Sequence, residues 1–335
     1  MKTKTLVLFS ILCLVALFGL VTSMAFGADL LNLRPEELVQ ADGSDIDVGK
    51  YSVPSFVDWD NDYLGDLVIG CGDGKFRVYL NNGTEAEPIF SDFFYAQSVG
   101  ADLYCEPSGC MGCFPRVVYW DADDLKDLLV GQSAGTLKLF LNINTDSDPS
   151  FDGGTLLQVG PLGSKVNIEV GGRPTPTVID WNNDDKKDLV LGAIDGKIHI
   201  FLNEGTDTEP DFIDKIFAQD GDIDLVVPSF RSSPVIFDAD NDGKKDLIVG
   251  NTNGELLLYS NVGSDADPSF SGFVPVESTG VPIVLVGTPR SRPYVCYWTG
   301  DGHFGPKDVY PDVLIGAYDG NVHLYQGIIP LTCQE

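Results

Sequence analysis

Short apolar runs, each broken by glycine, proline or a knot of aspartates, follow one another from about residue 52 onward. The first group reads PSFVDW, an acidic loop, DLVIG, the turn CGDG and then KFRVYLNN, whose alternating apolar positions describe a half-buried strand. After the turn GTEAEP a fourth strand is expected through IFSDFFYAQ, and the order returns in KLFLNINTDSDPSF, HIFLNEGTDTEPDF and LLLYSNVGSDADPSF. The fourth strand is expected to carry a polar marker at Gln97, Gln158, Gln219 and Glu277. Helical periodicity is lacking apart from a short candidate at Pro35 to Val39.

A proline recurs at the head of each unit, at Pro54, Pro115, Pro176, Pro234 and Pro293, in steps of 61, 61, 58 and 59 residues. Such a period signals stacked repeats, none of which buries its apolar surface alone. The units lie near 52–100, 113–160, 174–222, 232–280 and 291–330, and the last stops soon after its third strand. Its missing fourth strand is expected at the start of the chain, where residues 38–43 (LVQADG) resemble 217–221 (FAQDG) and 45–48 (DIDV) resemble 222–225 (DIDL). A segment at 37–48 that completes the last sheet would leave no long exposed edge. The expected fold is therefore all-β: one domain over 28–335, a five-bladed β-propeller of four-stranded antiparallel blades closed by an N-terminal strand.

Aspartates sit at positions one, three, five and nine of a nine-residue loop after the first strand, most fully in Pro234 to Gly250, PVIFDADNDGKKDLIVG. Oxygen donors on alternate residues around a tight turn are what Ca²⁺ requires, and four carboxylates so close repel one another without a cation between them. The complete loops are Asp58, Asp60, Asp62 and Asp66; Asp180, Asn182, Asp184 and Asp188; and Asp238, Asp240, Asp242 and Asp246. The second keeps Asp121, Asp123 and Asp127 but begins with Tyr119, so weaker binding is expected there. The fifth begins with Tyr297 and keeps Asp301 and Asp312 around an insertion, and no metal is assigned to it.

The pattern F-x-D-x-D-x-D-G-x-x-D-L-x-x-G resembles the FG-GAP or VCBS repeat, the calcium-loop blade of integrin-α-like propellers, over nearly all of residues 37 to 330. The resemblance implies Ca²⁺ as cofactor and a backbone-carbonyl ligand at position seven, at Leu64, Lys186 and Lys244. It leaves activity open, because such repeats serve adhesion proteins, lectins and domains attached to enzymes. Position six favours glycine, found only at Gly243; Tyr63 there would be strained if the turn demands a positive φ.

Composition adds a destination. The opening MKTKTLVLFSILCLVALFGLVTSMAFG reads as a secretory signal over residues 1–27, cut after Ala25 or Gly27, in preference to an uncleaved anchor. Its two lysines leave with it, taking the formal charge from -29 to -31. That surface repels nucleic acid and anionic lipid. A secreted, surface or periplasmic product without direct membrane insertion is expected. Six cysteines remain, with Cys105, Cys110 and Cys113 crowded in one loop, and disulfides are favoured over a zinc site.

Five of the seven arginines stand just before or at the start of a first strand: Arg116, Arg173, Arg231, Arg290 and Arg292. Arg173, Arg231, Arg290 and Arg292 are candidate ligand-binding residues that would gather at the channel mouth opposite the acidic loops; ion pairing with neighbouring blades is the competing expectation. Trp59, Trp120, Trp181 and Trp298 each follow position one, and packing between blades is favoured over stacking on sugars. The insertion at 101–115 is either a specificity loop or a cover. Gly131-Gln132-Ser133-Ala134-Gly135 matches a nucleophile pattern but aligns with the glycine turns of the other units. His199 and His323 share a third-strand place with Arg77, Lys138 and Leu257, which suggests an outward position, and His303 is a weak candidate.

These readings favour an exported calcium-binding propeller that binds a glycan or protein ligand. Alternatives are a polysaccharide-active enzyme on the same scaffold, with no catalytic residue assigned, and a structural subunit that self-assembles.

Overall fold

The computed structural model describes residues 31–106, 112–287, 289–298 and 310–328. Five four-stranded sheets dominate it. Sheet 1 comprises Val53–Val57, Asp66–Gly70, Phe76–Tyr79 and Phe94–Tyr95. Sheet 2 comprises Phe114–Val118, Asp127–Gly131, Leu137–Phe140 and Thr155–Leu156. Sheet 3 comprises Thr175–Ile179, Asp188–Gly192, Ile198–Phe201 and Ile216–Phe217. Sheet 4 comprises Ser233–Phe237, Asp246–Gly250, Leu256–Tyr259 and Val274–Pro275.

Sheet 5 comprises Arg292–Cys296, Asp312–Gly316, Val322–Tyr325 and, from the other end of the chain, Glu37–Leu38. Glu37 lies opposite Leu324 and Leu38 opposite His323 in an antiparallel pair. No helix occurs among the described residues, and the helical candidate at Pro35 to Val39 is overturned. The Val39 N–H donates to Val322 O at 3.0 Å, so a neighbouring strand satisfies the backbone that a helical turn would have satisfied locally.

Every second strand is buried along its whole length. This explains why DLVIG and its counterparts do not alternate: each is covered on both faces. The covering comes from the adjacent sheets. The apolar core divides into five clusters, joining sheets 1 and 2, 2 and 3, 3 and 4, 4 and 5, and 5 and 1. The first strands touch in the same cyclic order.

Glycine and proline set the closeness of these seams. A β-carbon on Gly192, at the end of a second strand, would stand 2.3 Å from Ser232 O and 2.4 Å from Pro234 Cδ. Gly70 meets Pro115, Gly131 meets Pro174, Gly250 meets Ser291, and Gly316 meets Ser52 and Pro54 in the same way. At the other end of the seams the tryptophans act as wedges. Trp59 packs on Phe151, Trp120 on Phe212 and Trp298 on Phe90, with ring centres 6.1, 6.5 and 5.6 Å apart. Trp181 shares a cluster with Phe270. All four indoles are buried, so they are packing residues and not a sugar platform.

The polar markers lie outside the fourth strands. Gln97 and Gln219 begin hairpins that leave the sheet and pair in parallel with Ser150–Phe151 and Ser269–Phe270 of the next unit. Val159 bridges Phe212 and, from the N-terminal segment, Ala41 bridges Phe90. The glutamine amide secures the hairpin: Gln97 donates to Asp102, Gln219 to Asp224 and Gln40 to Asp45 at 2.9 to 3.1 Å.

His199 and His323 are buried, contrary to the expected outward position. The neighbouring outer strand covers that face of the third strand: His199 rests edge-on against Phe217 beside Asp195, and His323 Nδ1 meets Glu36 Oε1, next to the N-terminal strand, at 2.5 Å. Burial lowers the His199 pKa. Burial also opposes protonation of His323, but Asp319 and Glu36 outweigh it and raise its pKa.

Candidate metal loops and the arginine end

Each first strand runs straight into its acidic loop, and short side chains bend the backbone there. The position-one carboxylate accepts from the N–H groups of positions five and six: Asp58 from Asp62 and Tyr63, Asp180 from Asp184 and Asp185, Asp238 from Asp242 and Gly243, at 2.8 to 3.1 Å. The position-five carboxylate accepts from position seven, Leu64, Lys186 or Lys244. Position four is left-handed at Asn61, Asn183 and Asn241, and position six at Tyr63, Asp185 and Gly243. Tyr63, with φ of 73°, carries the expected strain.

The bend draws carboxylates together. One oxygen from each of Asp58, Asp60 and Asp62 lies within 4.8 Å of the others, and the same is true of Asp180, Asp184 and Asp188; of Asp238, Asp240 and Asp246; and of Asp121, Asp123 and Asp127. The second loop thus assembles a three-acid set despite Tyr119. Asp66 and Asp242 fall outside these sets, and the Asn182 side-chain oxygen accepts from the Asp184 N–H at 3.2 Å. Asp301 and His303 lie outside the described residues.

Position nine has a second task that its ligand assignment overlooked. Asp66 takes the Trp59 and Asn81 N–H groups, both at 2.7 Å, bracketing the loop to the end of the third strand. Asp127, Asp188, Asp246 and Asp312 make the same pair of bonds. The signal was present in sequence: this aspartate recurs in all five units, including the two that begin with tyrosine. Burial pushes the Asp66 carboxyl up to about 7 and that of Asp127 to about 6, against these backbone donors.

The donor sets suit a hard cation. All side-chain donors are oxygens, and Asp60 Oδ1 is buried without a hydrogen-bond partner. Burial, then Asp62 and Asp58, raise the Asp60 pKa; burial, then Asp242 and Asp238, do the same to Asp240. A divalent ion held by these carboxylates would relieve both effects.

Lysines at position eight reach back to the preceding loop. Lys126 Nζ bonds Asn61 Oδ1 and pairs with Asp146 at 2.8 Å, and Lys245 Nζ bonds Asn183 and pairs with Asp265 at 2.9 Å. Lys187 Nζ donates to the carbonyls of Tyr119 and Trp120 at 2.7 and 3.3 Å; burial, then Asp123, raise the Asp121 carboxyl, and the Lys187 charge opposes them only in part. An ammonium group therefore already stands at the loop that lacks its first aspartate.

The opposite ends of the first strands carry arginine. Arg173, Arg231, Arg290 and Arg292 line one cavity with Phe114 and Thr175. Arg173, Arg231 and Arg290 occupy the place three residues before the repeat proline, with φ of 55°, 57° and 82°; Tyr51 holds it in the first unit, with φ of 58°. The Arg290 and Arg292 guanidinium groups flank the Tyr51 ring at 5.0 and 5.5 Å. Arg116 does not join them. It lies further along its strand, donating to Pro176 O at 3.2 Å and stacking 4.7 Å from the centre of Tyr294.

Among the described residues no carboxylate forms an ion pair with any arginine. Burial, then Arg231 and Arg290, lower Arg173 to about 10, and burial, then Arg290 and Arg173, lower Arg292 to about 9. A disulfide joins Cys105 to Cys113, next to Phe114 of the arginine cavity, while Cys71 and Cys296 are free and buried. Cys110 and Cys333 lie outside the described residues. Gly131 to Gly135 forms the turn between two strands, without the strand-to-helix setting of a nucleophile.

No protein-family model matches the chain. No curated protein matches it either. Among solved structures it is similar to the BBS1N chain of a complex with ARL6DN, at 14% identity over 91% of this chain and 98% of that one, with a TM-score of 0.39. It is also similar to the Photorhabdus luminescens Tc holotoxin pore (11% identity, 88% of this chain, TM-score 0.36) and to Chaetomium thermophilum Raptor (14%, 87%, 0.38). The matched region spans 15% of the toxin chain and 24% of the Raptor chain. No helix among the described residues is long and apolar enough to cross a membrane.

Proposed function

We propose that the chain is an exported, calcium-stabilised five-bladed β-propeller of the FG-GAP/VCBS type, closed by its N-terminal strand, and that it serves as a binding module for a glycan or protein ligand outside the cell or at its surface. Five apolar clusters in cyclic order and the pairing of Glu37–Leu38 with the last unit support the ring. Ca²⁺ would be held by the carboxylates of the first, third and fourth loops, with Asn182 in the third, and less firmly by Asp121, Asp123 and Asp127. Bound there, it would neutralise the loops and stiffen one end of the first strands.

The observation that carries the binding role is the polarity of the first strands: carboxylates gather at one end, and arginines that pair with no carboxylate among the described residues at the other. Lysines pair with acids at the loop end, as Lys186 does with Asp184 and Lys244 with Asp242, but no such pair draws these arginines to the loop carboxylates. Separate, they leave one end to be satisfied by cations and the other by an external anion. The test is a glycan array together with a pull-down from the producing organism's surface fraction, both in millimolar Ca²⁺. Specific retention of an anionic glycan or protein is expected; blanks in both would overturn the binding role. Self-association in Ca²⁺ with both assays blank would favour the structural-subunit alternative.

A further inference from the structure

We propose that the arginine end is a site for one tetrahedral oxyanion group, of the sulfate or phosphate class, seated among Arg173, Arg231, Arg290 and Arg292. This deepens the binding-module reading and rests on it. Three of these arginines come from one repeat position in consecutive units, and Arg292 comes from two residues further in. They therefore approach a common cavity from different sheets.

Donors are left over there. Arg231 Nη1 and Arg290 Nε are buried and find no acceptor among the described residues. Arg292 is 7% exposed, and its hydrogen bond, to Ser52 O, is 3.3 Å long. The Arg290 Nη1 bond to the Tyr51 hydroxyl, at 2.5 Å, is made to a neutral group and leaves the charge unmatched. Left-handed backbone at three arginines adds strain of the kind that collects at binding sites.

Size and charge select the ligand. The cavity measures about 30 Å³, room for about two or three waters. One or two oxygens of a sulfate or phosphate fit that space with the rest of the group at its mouth, whereas a sugar ring would remain outside. A monocarboxylate offers one charge and one plane of oxygens. Four guanidinium groups converging from the heads of three first strands present several forks, which a doubly charged tetrahedral group can meet at once.

The full mature chain in Ca²⁺ is tested by thermal shift and calorimetry with inorganic sulfate, inorganic phosphate, acetate and chloride at matched ionic strength. Sulfate or phosphate is expected to raise Tm and give a saturable heat, with acetate and chloride at least tenfold weaker. The double variant R231Q/R290Q should weaken the oxyanion at least tenfold, and R173Q alone should weaken it measurably. K138Q, on the third strand of sheet 2, should not. Retained stabilisation by Ca²⁺ shows that each variant is folded.

Dextran sulfate and neutral dextran then separate the sources. Arginine-dependent binding of dextran sulfate alone places the group on a glycan. Saturable binding of inorganic ions, with blank dextran arms, a blank array and a blank pull-down, supports the site while overturning the binding-module reading. Equal binding of dextran sulfate by wild type and R231Q/R290Q overturns the site and leaves that reading standing. No oxyanion preference over acetate and chloride also overturns the site.

Discussion

The two ends of the first strands meet the same problem, like charges brought together by repetition, and the chain deals with them differently. At the acidic end the carboxylates are short, exposed in part and tied into turns by backbone N–H groups, and lysines from the next unit lean over the loops. At the arginine end the side chains are long and half-buried or buried, and aromatic rings, not acids, lie against them. The difference teaches that repetition imposes the crowding while side-chain length decides its relief. Short carboxylates can share one ion, and long guanidinium groups can converge on the head of a ligand.

The strongest test of this contrast is chelation. With three loops charged with Ca²⁺, EDTA should lower Tm by about 10 °C or more in scanning calorimetry. An unchanged Tm would break the role assigned to the acidic end. Next is glycine replacement at each end. Gly192→Ala drives a methyl group into Ser232 and Pro234 and should cost about 1–3 kcal/mol in urea melts. Gly243→Ala meets open space at φ of 83° and should cost only about 1 kcal/mol, read the same way.

Neutralisation should split the ends by sign. Asp60→Asn should abolish part of the calcium stabilisation, whereas Arg231→Gln in oxyanion-free buffer should gain about 1 kcal/mol by removing an unpartnered buried donor. A loss for Arg231→Gln would mean that its charge is matched within the protein. The smallest effect is that of pH. His323, raised above 6.5 by Asp319 and Glu36 despite burial, contributes stability that is complete below 6.5 and fades as pH rises through its folded value. His199, lowered by burial, gives stability that is present above 6.5 and lost as pH falls towards its folded value. In urea melts across pH, His323→Phe should flatten the alkaline decline and His199→Phe the acid one, each by about 1 kcal/mol or less.

Much of the local structure was legible. Pro54 and its four counterparts head first strands, the glycine turns separate second strands from third, and the aspartate loops bend where their spacing says they should. These are short-range matters of φ preference, alternation and turn chemistry, and a few neighbouring residues suffice to dictate them. The period likewise announced repeated sheets before any contact was known.

What each side chain meets was settled by contacts between distant parts of the chain. Gln97 and Gln219 could not be read as leaving their sheets, because their hairpins are held by Phe151 and Phe270 of the following units. The burial of His199 and His323 depends on the strands that pair beside them, one of them from the opposite end of the chain, and Arg116 departs from the other arginines because Tyr294 faces it across the first strands. Position nine of each loop doubles as a backbone bracket only because the third strand returns beside it. Local patterns fix the units; which donors meet which acceptors follows from packing between units about 60 residues apart, and no short window of sequence contains that distance.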